Sequence, residues 1–581
     1  MTDRNYRTLA PEIVWDGERP RSAEFSDYYW SQGDPRLEKR AVFADQHHLA
    51  VRAQRAEQFV LLELGFGFGH NFLQTAELWS RECTQTILHY IAIERAPPSL
   101  RSLERVYSKD DSELTQRLLN AYPPRVEGWF TQWISPKVRL TLIFEDARTA
   151  LPELDARVDA FYLDGFKPSH NPELFNSFVF ERLHRLAQPG ATLSTYSVAG
   201  VVKQGLTAAG FAIEKRAGFG QKRALLYAQK QGAWAGQTLK RPSIQIVGAG
   251  LAGRALQQSL SRFGQDAMVF SDPRSIGSSD QPRLKLYPQV ALQRDAASDF
   301  SLAASHFALQ HNPLIEPRPI QWHSDNADRE RRMSKLNALL PDTVLASSAE
   351  GFTYHLAGIW RPGEPITPTQ TGRVERIGFG KTATQLIGLT GKILSEADTT
   401  IIAAGMGTLE LTGLDLRCIQ GQSMIIHSED ILPNAMTGDL NITALGEAQF
   451  LVGSTYCLDN SDPKPTRSNT NLLCQRLSKL LGHSQFKVIS EHSGVRVAYP
   501  DRKIGFGPIH SRNMAHSVGQ NDAVAGTDHQ SLYVLTGLGS HGLTHSSLAA
   551  EAIISKIVGA PNVTPRAHLA AFRPDRALRK S

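Results

Sequence analysis

Cysteine is scarce: four stand in 581 residues, Cys83, Cys418, Cys457 and Cys474, and no two form a CxxC pair. That leaves no support for a disulfide framework or a zinc ribbon, and a reducing cytoplasm is the expected home. Long apolar runs are missing too, since none reaches the ~18 residues that cross a bilayer. The opening, MTDRNYRTLAPEIVWDG, has no apolar core, so no secretory signal is expected. A strong excess of one charge is also lacking. Lys plus Arg number 63 against 57 Asp plus Glu, a net charge of +6, which favours a polyanionic partner only mildly. With 41% hydrophobic and 21% charged residues, the composition is that of an ordinary globular chain. No internal repeat is evident, and neither a membrane partner nor a metal site is expected.

Two strand–glycine–helix units stand out against this background. The first is FVLLELGFGFGHNFLQTAELW, Phe59 to Trp79; the second is SIQIVGAGLAGRALQQSLSRFG, Ser243 to Gly264. Each puts a short apolar run before spaced glycines and a stretch of helical periodicity, the order a nucleotide-binding turn requires. Two such openings predict two nucleotide-binding domains. The stretch AQKQGAWAGQTLKRP, Ala228 to Pro242, is polar and ends in proline. The expected division is therefore a first domain over 1–228, a linker over 229–241 and a second domain over 242–581. Strands are predicted at His89–Glu94, Leu140–Asp146, Ala160–Gly165 and Thr192–Ser197 in the first, and near Ile401–Gly405 and Leu532 in the second.

In the first unit Gly65, Gly67 and Gly69 follow the strand VLLEL. Without side chains they let backbone and helix N-terminal N–H groups approach a ligand, although a tight structural turn would use them equally well. Glu94 ends the next strand, where a carboxylate can accept from both ribose hydroxyls. Asp146 ends a later one, a place to meet an adenine amino group. A further strand ends in Leu163-Asp164-Gly165-Phe166-Lys167-Pro168, which resembles the acid-Pro-Pro-aromatic loop of amino-group methyltransferases. There Asp164 can orient an amine and take up its proton, and Phe166 can stack on the base that carries it.

The segments ELGFGFGHNFL, HYIAIER, DAFYLDGFKPSHNPELF and AGFAIEKRAGFGQKRALLYA, with WDGERPRSAEFSDYYWS before them, resemble in order the methyltransferase domain of the bifunctional proteins that make 5-methylaminomethyl-2-thiouridine in tRNA, the MnmC family. The resemblance implies S-adenosyl-L-methionine as methyl donor.

In the second unit Gly248, Gly250 and Gly253 follow SIQIV and open a helix, the context of a dinucleotide fingerprint. The next strand ends Val269-Phe270-Ser271-Asp272, so the acid expected for the ribose arrives one position late, at Asp272. Thr536-Gly537-Leu538-Gly539-Ser540-His541-Gly542-Leu543 resembles the Gly-rich turn that approaches the flavin in D-amino-acid-oxidase-like flavoproteins. IIAAG, ending at Gly405, resembles their second nucleotide-side strand. GVRVAYPDRKIGFGP resembles their substrate-side turn, and Arg496 matches the residue that meets the substrate carboxylate. His541 is expected to line the same pocket. Leu284 and Ile504 depart from the family's Gly and Pro, and Trp360–Thr399 is short for this fold.

Lys215, Arg216, Lys222 and Arg223, then Arg329, Arg331, Arg332 and Lys335, then Arg573, Arg576, Arg579 and Lys580 form basic runs. Such runs are usually solvated faces, but together they can track phosphates. The expected fold is α/β: a Rossmann-like S-adenosylmethionine methyltransferase domain, then an FAD-binding Rossmann-type domain with an inserted, mostly antiparallel substrate domain in portions 285–400 and 410–500. The implied substrate is the wobble uridine in a tRNA anticodon loop. The implied reactions are FAD-dependent removal of a carboxymethyl group, then N-methylation. Two rivals stay open: a small-molecule amine oxidase fused to a methyltransferase, and an RNA-binding methyltransferase with a flavin-free C-terminal module.

Overall fold

The computed structural model describes residues 5–220, 224–272, 277–348, 351–362, 368–380, 383–430, 432–510 and 531–577. The chain divides into two units, Met1–Lys240 with Val558–Ala567, and Arg241–Ile557 with His568–Ser581.

Unit 1 is built on an eight-stranded sheet. Its strands are β1 (Gln58–Leu64), β2 (Ile87–Ile93), β3 (Gly128–Ser135), β4 (Val138–Phe144), β5 (Val158–Leu163), β6 (Ala187–Thr195), β7 (Phe211–Ala217) and β8 (Ala224–Lys230). They lie in the order β7-β8-β6-β5-β1-β2-β4-β3. The central neighbours are parallel; β3 and β8 run against them, and β7, antiparallel to β8, returns to the central direction at the edge. Every residue of β1, β2, β4 and β5 is buried, which explains why these segments read as continuous apolar runs without alternation. Val60, Leu62 and Leu64 share a core with Val179, Phe180 and Leu183 of the helix Ser177–Leu186. Each such buried side chain contributes about 1.5–3 kcal/mol. From β1 the chain winds toward β2 on one side and later toward β5 on the other. The switch point therefore lies between the carboxyl ends of β1 and β5, where doubly wound sheets bind ligands.

The stretch expected as a connection continues in unit 1. Trp234 Nε1 and Gln237 Nε2 donate to the buried carboxyl of Asp159 at 2.7 and 2.6 Å. The C-terminal segment Val558–Ala567 also packs in this unit. Arg139 Nη2 donates to the Pro561 carbonyl at 2.9 Å, and Asn562 accepts from the Asp155 N–H.

Unit 2 contains a six-stranded sheet of β9 (Ile244–Val247), β10 (Met268–Ser271), β11 (Gln370–Thr371), β12 (Thr399–Ile402), β13 (Gly505–Pro508) and β14 (Leu532–Thr536), in the order β11-β10-β9-β12-β14-β13. All its pairs are parallel except β13 with β14. The inserted second sheet has nine strands among the described residues. Its longest member, Arg417–His427, pairs antiparallel with Lys487–Ala498 and Gln449–Gly453. Only Ile320–His323 with Ala435–Gly438 is parallel.

At the departures from the family pattern, Leu284 opens a short strand against Gly358–Trp360, and Ile504 is buried. The described part of Trp360–Thr399 holds β11 and a three-stranded meander, Val374–Phe379, Thr384–Gly388 and Ile393–Ala397. Among the described residues, no helix is long and apolar enough to cross a membrane.

Candidate active sites

The carboxyl ends of β1 and β5 open on a cavity of ≈ 480 Å³. Gly65, Gly67, Glu94, Asp146, Asp164 and Phe166 all line it. Gly65 has φ +90°, and a Cβ there would run into the Asp164 carbonyl, so only glycine lets the two strand ends meet this closely. The Gly65 N–H donates to Ile93 O and the Asp164 N–H to Leu64 O, at 2.9 and 3.0 Å, which ties three strand ends together. Gly69 stands behind the turn, as the N-cap of the helix His70–Glu82. That helix start has no side-chain cap, so its N–H groups remain for a ligand.

Glu94 accepts from the N–H groups of Gly67 and Ala96, both at 2.9 Å. Burial pushes its carboxyl up, and these two N–H groups pull it back down. Each oxygen keeps a second lone pair for a ribose hydroxyl. Asp146 is more heavily engaged. It caps the helix Ala147–Glu153 and accepts from Arg148 Nε and Nη2 at 2.9 and 2.8 Å. Burial raises its carboxyl, but the Arg148 contacts outweigh it and hold the group below the usual carboxylate range. Phe166 stacks on Phe25, with centroids 4.7 Å apart and planes at 21°, and meets Tyr29 edge-on at 5.1 Å.

Asp164 is the hub of a network that sequence reasoning missed. Its Oδ2 accepts from Lys39 Nζ and, at 2.8 Å, from Asn71 Nδ2. Asn71 Nδ2 also donates to Glu63 Oε1 at 2.7 Å, and Tyr90 bonds Glu63 Oε2 at 2.8 Å. Burial and the nearby Asp164 charge push Glu63 up to about 8, against the bonds from Asn71 and Tyr90. Glu63 is therefore largely protonated at neutral pH. Tyr196 closes the far side by donating to the Gly165 carbonyl. Tyr29 packs at the Gly67 turn, brought there by the chain that follows the small N-terminal sheet Ile13–Asp16, Arg19–Ser22 and Asp27–Tyr28. Asn71 lay within the quoted GFGHNFL and Tyr29 within WDGERPRSAEFSDYYWS, so both had a signal. Lys39, in the helix Pro35–Val42, had none.

In unit 2 the Gly248–Gly253 turn joins β9 to the helix Leu251–Arg262. Gly248 has φ +115°, and a Cβ there would strike the Ala403 carbonyl. A Cβ on Gly253 would strike Gly248 O, whereas one on Gly250 would make only an ordinary contact with Ser279 Oγ at 3.6 Å. The helix start has no side-chain cap, so this cradle fits a pyrophosphate. Asp272 directly follows β10. Gly405 follows β12, and Gly537 and Gly539 follow β14, all three with positive φ. The Gly539 N–H donates to Val497 O at 2.9 Å, which ties this turn to the strand that carries Arg496.

Arg496 Nη1 donates to Ser540 Oγ at 2.8 Å, while the buried Nη2 has no partner among the described residues. A buried guanidinium N–H without an acceptor fits a carboxylate-bearing ligand. His541 bonds the Gln289 side chain and meets the Tyr287 ring edge-on at 5.6 Å. Burial, then His545 and Arg496, draw it down to about 3, so it is an uncharged imidazole at neutral pH. Lys285 donates to Met436 O and, at 2.8 Å, to Asn441 Oδ1. Burial alone draws its ammonium down to about 7.

The basic runs are partly neutralised in place. Arg329 pairs with Asp439, Arg331 with Asp328, Arg573 with Asp575 and Arg576 with Asp501. Arg216 pairs with Glu214 and lies over the Tyr227 ring. Lys222, Arg223, Arg579 and Lys580 lie outside the described residues. Among the described residues no cluster of His, Cys, Asp and Glu is arranged to hold a metal ion.

Comparison with known proteins follows the same division. A family described as S-adenosyl-L-methionine-dependent methyltransferase matches residues 109–231, and one described as FAD dependent oxidoreductase matches 366–555. The tRNA 5-methylaminomethyl-2-thiouridine biosynthesis bifunctional protein MnmC of Marinobacter nauticus is 28% identical, over 97% of this chain and 96% of that protein. Its counterpart in Aromatoleum aromaticum is 29% identical over 97% and 96%. Among solved structures, glycine oxidase from Geobacillus kaustophilus superposes with a TM-score of 0.47 at 14% identity, over 58% of this chain and 99% of that one. MNMC2 from Aquifex aeolicus gives 0.32 at 20%, over 40% and 74%.

Proposed function

Since the chain belongs to the MnmC family of bifunctional tRNA-modifying proteins, we propose that its two enzymatic halves act in turn on one wobble uridine in a tRNA anticodon loop. Unit 2 removes the carboxymethyl group from 5-carboxymethylaminomethyl-(2-thio)uridine, leaving the aminomethyl form. Unit 1 then transfers a methyl group from S-adenosyl-L-methionine to the exposed amine. Bound FAD supplies the hydride acceptor. Hydride leaves the carbon between the amine and the carboxylate, water adds to the resulting imine, and the two-carbon arm departs as glyoxylate.

The observation that carries the reading is the pairing of two dissimilar sites in one chain. In unit 1, Gly65, Gly67 and Glu94 share a cavity with Asp164, so a donor-sized ligand and an amine would meet at one switch point. In unit 2, Arg496 Nη2, without a partner among the described residues, lies beside the Gly537–Gly539 turn. We assign Arg496 to the substrate carboxylate, Asp164 to the amine and Phe166 to the base. Glu94 takes the donor's ribose, and Asp146 borders its adenine. Gly248, Gly250 and Gly253 would hold the pyrophosphate of FAD, Asp272 its ribose, and Gly405, Gly537 and Gly539 would border the rest. His541 lines the oxidase pocket as a neutral side chain. An anticodon loop presents its bases unstacked, so a base can enter either site at little cost. A tRNA substrate fits a cytoplasmic protein, and the proposed reactions call for neither a membrane nor a metal.

Nucleoside mass spectrometry of tRNA from a strain lacking this gene tests the reading. The carboxymethylaminomethyl form should accumulate and the methylaminomethyl form should vanish. Normal methylaminomethyl levels would overturn it.

A further inference from the structure

The two oxygens of Asp164 are not equivalent. Oδ2 accepts from both Lys39 Nζ and Asn71 Nδ2. Oδ1 has no partner among the described residues, and Asp164 lines the cavity. The Lys39 and Asp164 side chains are only 11% and 12% exposed, so water screens this pair poorly. Lys39 is carried on the helix Pro35–Val42, Asp164 on the turn after β5 and Asn71 on the helix His70–Glu82. Three separate elements therefore converge on one carboxylate.

We propose that Lys39 and Asn71 are positioning residues that clamp Asp164 by Oδ2 and present Oδ1 to the substrate amine, and that the Lys39 charge keeps that amine in its neutral, nucleophilic form. The proposal rests on the reading of unit 1 as an amine methyltransferase. An alkylamine is mostly protonated at neutral pH, and a lone carboxylate beside it would hold it so. A fixed cation on the same carboxylate offsets that pull. In the transfer step the amine lone pair forms the N–C bond as the S–C bond breaks, and sulfur keeps that electron pair. The product ammonium then gives one proton to Asp164 Oδ1, which passes it to water.

The other charged groups around the pair are consistent with this division of labour. Glu63, reached through Asn71, is largely protonated at neutral pH because it is buried, and Tyr90 beside it stays neutral. His70, on the Asn71 helix, is drawn down to about 3 by burial and then by Lys39, so it adds no charge. Glu94 is the remaining acid coupled to Asp164, and it is held by backbone N–H groups. Tyr196 on the far side is kept neutral by burial, with Asp27 and Glu38 beyond it. Among the described residues, Lys39 is therefore the cation in direct contact with Asp164.

The test is the pH profile of methyl transfer to saturating tRNA carrying aminomethyl-uridine, measured as kcat with the full-length protein, because kcat reports groups in the bound complex. The rate of the unmodified protein should rise with pH along a limb that reports loss of the amine proton. Lys39→Gln should move that limb upward by about one pH unit or more, the size of effect one close charge produces, while S-adenosylmethionine binding persists. Lys39→Arg, which keeps the charge, should leave the limb in place. A Lys39→Gln profile lowered equally at every pH would overturn the proposal and leave Lys39 a packing residue. A limb displaced equally in Lys39→Arg would also overturn it, since charge would not be the cause. If the unmodified protein methylates no aminomethyl tRNA while binding the donor, the reading of unit 1 fails and the proposal falls with it.

Discussion

Glu63→Gln is the substitution whose outcome the structure fixes most tightly. Glu63 is fully buried in β1 and touches Asn71 and Tyr90. Burial raises its carboxyl from the ordinary 4.5 to about 8. Between those values the folded protein holds a proton that the unfolded chain releases, so stability falls as pH rises across that window. The contribution is fully present below about 4.5 and is lost by about 8. At 1.36 kcal/mol per pH unit, the whole window is worth about 5 kcal/mol. Glutamine mimics the protonated acid: its carbonyl accepts from Asn71 Nδ2, and its amide donates to the Tyr90 oxygen. The variant should match the parent near pH 5 and exceed it by a few kcal/mol at pH 8. Hydrogen exchange of peptides spanning Gln58–Leu64 and Ile87–Ile93, corrected for the intrinsic pH dependence, reads the difference in opening free energy. A difference that stays constant from pH 5 to 8, or a glutamine variant less stable at pH 8, would mean that Glu63 is ionised in the folded protein and would refute the reasoning.

Asp164→Ala should lower methyl transfer by ~10²–10⁴-fold, the usual value of a positioned general base, while donor binding by calorimetry stays within about twofold; an unchanged rate would remove Asp164 from the chemistry. Gly250→Val should fold, because its Cβ would meet Ser279 Oγ only at ordinary contact distance, yet purify without flavin absorbance; a yellow variant would place the pyrophosphate elsewhere. Arg496→Ala should slow glyoxylate release from carboxymethylaminomethyl tRNA by about 10–100-fold, the worth of a charge-assisted hydrogen bond. Arg496→Lys should retain part of the rate, and methylation should be untouched in both; undiminished release by the alanine variant would pass the carboxylate to another cation, such as Lys285.

Much of this was readable before any coordinates, because the signals are local. The run VLLEL before Gly65 and the run SIQIV before Gly248 announce buried parallel strands and open turns by residue type alone. Asp164 was legible from the loop LDGFKP that holds it. Its partners were not. Lys39 lies 125 positions from Asp164, and nothing in PRLEKRAV distinguishes it from any solvated helix lysine. Glu63 reads as a polar interruption of an apolar strand, and only burial beside Asn71 and Tyr90 makes it a neutral acid. The return of Val558–Ala567 to unit 1 was hidden for the same reason, since it rests on Arg139 and Asn562, whose partners are hundreds of residues away. The basic runs mislead in the opposite direction: their carboxylate partners stand nearby in space, and a count of lysines and arginines does not show them.

The most direct test of the account gives the purified full-length protein tRNA bearing 5-carboxymethylaminomethyl-uridine, with and without isotopically labelled S-adenosylmethionine, and follows the nucleosides over time. Without the donor, glyoxylate and aminomethyl-uridine are the expected end products. With it, the label appears in methylaminomethyl-uridine after the aminomethyl form has risen and fallen. A starting nucleoside that stays intact while free glycine or sarcosine is oxidised would contradict the account.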